Sequence, residues 1–302
     1  MALGPRPLRT EQLARQLIHV SERSVYRYSA ELTKCQLVER YEENGVPSTV
    51  VLSLTNPGRH LYRLLRRFAG TTDARLPYPG SPVQSWNSLK LLSQFWESGF
   101  AETLSRKPQT MTELAERPHG LTFHQVTRRM RLFTDSGLLR ACSSNGHGRR
   151  YELSEHGRRR MALVSGIGRW RHRFVLTGDA SGLTGAEMAA VIRAALPLIL
   201  LPEFAGMCIG LGVAGPMDEY GHRGVEALQA VVGKDGKIRC DQAPRTADGS
   251  AVGTINTWFA VLLDGNRGRM RTGGDLSLVD ACLIRLHEVL WETSPQPSTR
   301  PR

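Results

Sequence analysis

The sequence predicts an α+β protein: a small helix–helix–hairpin–helix unit present twice, then a separate α+β domain. Three observations carry this. First, residues 11–46 match residues 112–147 at a constant offset of 101. Leu13-Ala14 falls on Leu114-Ala115, Val25 on Val126, Arg27 on Arg128, Leu37-Val38 on Leu138-Leu139, and Asn44-Gly45 on Asn145-Gly146. The offset then drops to 99, so that Gly58-Arg59 falls on Gly157-Arg158. A short length change inside a hairpin is what a loop tolerates. Second, residues 1–165 hold 25 Lys+Arg against 14 Asp+Glu, whereas residues 166–295 hold 13 against 14. Basic charge therefore stops where the repeats stop, as in a nucleic-acid-binding half joined to another module. Third, from residue 166 strand and helix patterns mix with tight hairpins, which is the mark of a small α+β domain.

The expected organisation follows. A first unit covers 1–70, a Pro/Gly-rich linker 71–85 and a second unit 86–165. A sensing or dimerisation domain covers 166–295, and a disordered tail 296–302.

In the first repeat Thr10 is placed to cap a helix beginning at Glu11, with Leu13, Ala14, Leu17 and Ile18 at helical spacing. Ser21 caps a second helix, whose expected inner face is Val25, Tyr28, Leu32 and Cys35. Leu37-Val38 starts a strand, Asn44-Gly45 turns it and Val50–Leu54 returns. Asn56-Pro57-Gly58 turns the chain into a helix from about Arg59 to Phe68. Only nine residues precede Thr10, too few for an opening helix. Leu13, Leu17, Val25 and Leu32 are therefore expected to need cover from helix 278–291 or from a second subunit.

The second repeat has an opening helix at Trp86–Leu104, and Thr112 leads the next. Thr122-Phe123-His124-Gln125 is a capping box in front of a helix that buries Val126, Met130 and Phe133. Gly137 takes the left-handed position at its end. Leu138-Leu139, Asn145-Gly146 and Tyr151–Leu153 form the hairpin, and Arg158–Val164 begins a closing helix. The first repeat has Gln36 where the second has Gly137.

The Gly-Leu-Leu at 137–139 and the Tyr151-Glu-Leu-Ser-Glu-His-Gly-Arg158 run after the hairpin carry a resemblance. Residues 8–165 resemble the broad MarR/PadR/HxlR group of bacterial winged helix-turn-helix regulators. The resemblance implies two winged helix-turn-helix units and double-stranded DNA as partner.

A winged unit puts the N-terminal side chains of its second helix into the major groove, where base edges are distinguishable. The candidate readers are Arg23, Ser24 and Arg27 in the first unit and His124, Gln125, Arg128 and Arg131 in the second. Arginine can bridge guanine O6/N7, and glutamine can bridge adenine N6/N7. His147, Arg149 and Arg150 of the second wing suit phosphates or the minor groove. Glu42 and Glu43 of the first wing do not, so the second unit is the expected better reader. The same fold also serves as a protein-interaction module in chromosome-organising complexes, which is the alternative.

In the third segment Thr184–Glu187 is a capping box opening a helix to about Leu196. Met207–Val213 is expected as a strand, Ala227–Val232 and Ile238–Cys240 as a hairpin, Thr254–Leu263 as a longer strand, and Leu278–Trp291 as an amphipathic helix. Such a domain most often senses a small-molecule effector or makes a homodimer. Trp170, Met188, Phe204, Met207, Trp258 and Phe259 are candidate lining of an apolar ligand pocket. They are equally what a plain core is made of.

Several function classes are excluded as expectations. No Ser-His-Asp spacing, P-loop or HExxH is present, and His222 beside Asp218-Glu219 has no supporting constellation, so no catalysis is expected. The Gly210–Gly215 run lacks the acidic residue of a dinucleotide site, so no cofactor is expected. The nine histidines lack metal spacing. Five scattered cysteines and no signal peptide fit a cytoplasmic protein, and the apolar stretch near Leu196–Phe204 is too short to span a bilayer.

Overall fold

The computed structural model describes residues 7–17, 20–43, 49–70, 96, 99–117, 120–142, 148–174, 183–217, 223–241 and 245–291. The linker 71–85, most of the expected helix 86–104, both hairpin tips, residues 218–222 and the tail lie outside them.

The first unit runs β1 (Leu8–Arg9), α1 (Thr10–Gln16), α2 (Glu22–Lys34), β2 (Val38–Glu43), β3 (Thr49–Leu54) and α3 (Asn56–Gly70). The second runs α4 (Phe100–Arg106), β4 (Gln109–Thr110), α5 (Met111–Ala115), α6 (Phe123–Asp135), β5 (Leu139–Cys142), β6 (Arg150–Leu153) and α7 (Glu155–Phe174). Both sheets have one order, β1-β3-β2 and β4-β6-β5. The matched residues occupy corresponding places in the strand register. Leu8 faces Leu52 as Gln109 faces Tyr151, and Val38 faces Leu54 as Leu139 faces Leu153. These pairs carry the offsets of 101 and 99 read from the sequence.

The turns repeat atom by atom. The Leu37 amide donates to the Leu32 carbonyl and the Leu138 amide to that of Phe133, each at 2.9 Å. Thr55 Oγ1 donates to the Gln36 carbonyl, and Ser154 Oγ donates to that of Gly137. A Cβ on either Gly58 or Gly157 would collide with the carbonyl oxygen of Leu37 or Leu138, so both positions require glycine. Gln36 adopts the left-handed conformation (φ 55°) that Gly137 adopts at φ 74°. The register of the turn, not the residue, sets this backbone.

Two expected helix starts shift. Thr10 is inside α1 and buried, and Gln12 Oε1 instead accepts from the Arg9 amide. Thr110, not Thr112, caps α5 in a reciprocal box with Glu113. On α2 the inner face is Val25, Ser29, Leu32 and Thr33. Tyr28 is 52 % exposed and Cys35 is exposed, because the 3.6-residue period carries the buried stripe to Ser29.

The two cores differ in size. The first unit buries Leu13, Val25, Val38 and Leu52 around half-buried Leu17, Leu32 and Leu54. The second buries Phe100, Leu104, Leu114, Val126, Met130, Phe133 and Leu153, continuous with the core of the third domain. Among the described residues the first unit has no counterpart of Phe100 and Leu104. Each such side chain, fully buried, stabilises by about 1.5–3 kcal/mol. The first unit instead docks α3 on α7. Trp170 Nε1 donates to the Pro57 carbonyl at 2.9 Å, His60 lies 5.2 Å from the Phe174 ring, and Leu64 packs so closely that a Cβ on Gly166 would clash. Helix 276–291, the expected cover, packs on α7 and within the third domain.

Helix α7 runs unbroken through residue 166 into the third domain. There follow α8 (Gly185–Ala195), β7 (Cys208–Met217), β8 (Arg223–Val232), β9 (Ile238–Asp241), β10 (Gly249–Thr254), α9 (Ile255–Asp264), β11 (Arg271–Gly274) and α10 (Leu276–Trp291). The sheet order is β11-β10-β7-β8-β9, with β10 parallel to β7 and the other pairings antiparallel. One face, including Ile209, Leu211, Leu228 and Ala251, is buried against α8, α9 and α10. The opposite face, with Val225 and Val252, is more open. The expected strand Thr254–Leu263 is a helix. Thr254 caps it, Gly265 ends it at φ 66°, and Ile255, Trp258, Phe259 and Leu262 form its buried stripe.

Candidate nucleic-acid interface

Helices α2 and α6 are the helices that lead into the hairpins of their units, and each is set by a side-chain cap. Ser21 Oγ accepts from the Ser24 amide at 3.3 Å, and Thr122 Oγ1 accepts from the Gln125 amide at 3.3 Å. The caps place Arg23 and Arg27, and His124, Gln125, Arg128 and Arg131, on exposed faces. Ser24 is half-buried, with its hydroxyl 2.8 Å from that of Ser21.

The neighbours divide these residues by availability. Gln125 Oε1 accepts from the Thr122 amide at 2.8 Å, completing the capping box. That acceptor is the atom an adenine N6 amino group would need, so the bidentate adenine contact competes with the cap. Arg27 lies over the Tyr28 ring, 5.0 Å from its centroid, and donates to its hydroxyl. Arg149 lies 5.8 Å from the Tyr151 ring centroid. Arg150 is turned inward: it donates to the Pro108 carbonyl at 3.0 Å and pairs with Glu113 at 3.3 Å. The backbone amide of Thr110, and then Arg150, hold the Glu113 carboxyl below its ordinary value. Arg150 is thus a brace between β6 and α5. His147 lies outside the described residues.

One residue escaped the sequence reading. Phe123 opens α6 and is 57 % exposed. An apolar side chain beside these arginines would suit a thymine methyl group. Its signal was its place inside the capping box, at the first residue of the helix.

The Arg158–Arg160 run is structural. Arg158 donates to the Ala194 carbonyl at 3.3 Å, and Arg160 is buried, with desolvation pushing its pKa down to about 10. Arg159 pairs with Glu155 at 3.0 Å.

The six candidate pocket residues do not converge. Met188, Trp258 and Phe259 are fully buried core, with Trp258 Nε1 bonded to the Gly212 carbonyl. Phe204 and Met207 are partly buried against that core, and Trp170 belongs to the α3–α7 seam. Among the described residues no group of His, Cys, Asp and Glu could hold a metal. No described helix is long and apolar enough to cross a membrane. Burial pushes the thiols of Cys240 and Cys282 up to about 11 and about 12, which leaves both protonated at neutral pH.

Residues 1–76 match the HxlR-like helix-turn-helix family. A solved structure of diamide-treated YodB from B. subtilis is similar at 20% identity, over 24% of this chain and 72% of that one, with a TM-score of 0.22. No curated protein matches the chain.

Proposed function

We propose that the chain is a sequence-specific, double-stranded DNA-binding transcriptional regulator. Two winged helix-turn-helix units stand in tandem, and the third domain senses a small molecule or makes a homodimer. The observation that carries this reading is the repeated helix and its turn. Arg27 and Arg128 stand at equivalent exposed positions, in a half of the chain with net charge +11. The HxlR-like match over the first unit supports DNA as its partner. Phosphates attract the net charge without regard to sequence, and the exposed side chains of α6 supply the choice of base. The second unit is the better reader, because α6 carries Arg128, Arg129 and Arg131 while α2 alternates Arg23 and Arg27 with Glu22 and Glu31. No enzymatic step belongs to this reading, and the cytoplasm is its compartment.

The test is a gel shift of the full chain with random and genomic duplexes over a salt series. Binding that discriminates sequences, and weakens steeply with salt, is expected. A chain that shifts no duplex at low salt overturns the reading. It would favour the protein-interaction module instead, for which exposed Tyr26, Tyr28 and Tyr41 beside Glu39 and Glu42 would be the contact surface.

A further inference from the structure

A cavity of about 1200 Å³ lies in the third domain, at one end of the sheet. It sits at the carboxyl ends of the parallel strands β7 and β10, where α9 begins, and the first turn of α9 lines it. Open sheets bind ligands at that end of their parallel strands. The floor is apolar: Val225, 51 % exposed, and Val252. The rim is cationic: Arg269 from the segment between α9 and β11, Arg271 from the start of β11, and Arg169 from α7. One lining carboxylate, Asp264, pairs with Arg169 at 2.6 Å. Among the described residues neither Arg269 nor Arg271 has a salt bridge.

This concentration of charge is not compositional, since residues 166–295 carry a net −1. Three guanidiniums around a recess repel one another, and the field is focused into it, so an entering anion is favoured. The exposed valine floor asks for an apolar body behind that anion.

We propose that this cavity is the effector site and that its ligand is a small organic anion with an apolar body. Arg269 and Arg271 hold the anionic group, Val225 and Val252 receive the body, and Arg169 leaves Asp264 for the ligand. The proposal rests on the reading of the third domain as a sensor, and it names the class of ligand. It also gives the signal a path. Arg169 stands on α7, the helix that closes the second unit and on which α3 of the first unit docks. Arg169 lines that seam too, beside His60 and Arg63. Exchanging Asp264 for a ligand changes what ties α7 to α9.

The test uses the full chain and two fluorescent probes. 8-Anilinonaphthalene-1-sulfonate is an organic anion, and N-phenyl-1-naphthylamine is its counterpart without the sulfonate. Saturable binding of the anionic probe is expected, weakened about tenfold or more in the Arg269→Ala/Arg271→Ala variant, with the neutral probe changed by less than about twofold. Asp264→Asn, which frees Arg169, should tighten the anionic probe. Octanoate should displace it from the unmodified chain while octanol does not, a comparison that needs no variant to fold. Equal displacement by both, equal anion binding in the arginine variant, or no saturable binding overturns the site. Unchanged affinity in Asp264→Asn overturns the exchange at Arg169. No DNA enters these titrations. A chain that shifts duplex but fails them loses only the anion site. One that passes them but shifts no duplex loses the regulator reading.

Discussion

Arg27 and Arg128 stand at the same turn of equivalent helices, yet their surroundings differ. Arg27 is held against Tyr28, while Arg128 is exposed one turn beyond His124. Arg128→Ala should cost about 1–3 kcal/mol of specific binding and relax preference at one base pair. Arg27→Ala should cost less. Competition titrations against base-substituted duplexes check both, and a larger loss at Arg27 would reverse the ranking of the units. Gln36 offers a test of stability. A side chain in the left-handed region costs about 1–2 kcal/mol, and glycine returns about 0.5–1 kcal/mol of that as unfolded-state entropy. Gln36→Gly should therefore stabilise the fold by a net of about 0.5–1 kcal/mol and raise the urea midpoint accordingly; a lower midpoint would show that the exposed Gln36 side chain makes a contact worth more than the strain. The outward arginines were legible from the apolar period that buries Val25 and Val126. The inward turn of Arg150 was not, because its partner Glu113 is 37 residues away and no local pattern couples them.

Helix α9 shows where an apolar run stops being informative. Thr254–Leu263 is rich in aromatic and β-branched residues and has few polar residues to mark a period, so both strand and helix templates fit it. The capping residues decide it: Thr254 at the front and Gly265 behind are helix signals, and the strand of this stretch is β10, just ahead. The elements of the two matched stretches were legible because caps and inner stripes agree with one another in both. Among the links that hold these elements, the Glu113–Arg150 brace joins α5 to β6 and is sensitive to acid. The Glu113 carboxyl is held below its ordinary value near 4.5 by the Thr110 amide first and Arg150 among the lesser causes. A carboxyl lowered in the folded state contributes stability above its unfolded value and loses it as pH falls through the folded one. Glu113→Gln should therefore lower the melting temperature at pH 7, and the gap to the parent chain should close as the pH drops below about 4.5. A gap that stays constant with pH would show that the brace acts by packing alone.

Taken together, the contacts fix the two units on one support. Helix α7 closes the second unit, where its Arg158 meets Ala194 of the third domain, receives α3 of the first through Trp170, Phe174 and Gly166, and continues into the third domain. The matched residues and the charge boundary are visible in the sequence, but not this docking, which depends on aromatic and glycine contacts more than 100 residues apart. Units tied to one helix cannot turn independently, so on the proposed reading α2 and α6 would meet a duplex in a fixed relation. Productive use of both requires their N-terminal turns on one face, about one helical turn of DNA apart (roughly 34–36 Å) or a multiple of it. Hydroxyl-radical footprinting on a selected duplex should then show two protected segments about 10–10.5 base pairs apart, on the same side of the helix. Arg128→Ala should weaken one segment and Arg27→Ala the other. Light scattering belongs beside the footprint, because a homodimer would place four reading helices on the site and double the pattern. Protection confined to one segment, lost with Arg128→Ala and indifferent to Arg27→Ala, would mean that the first unit does not read DNA. Its docking on α7 would then serve only to complete a small core.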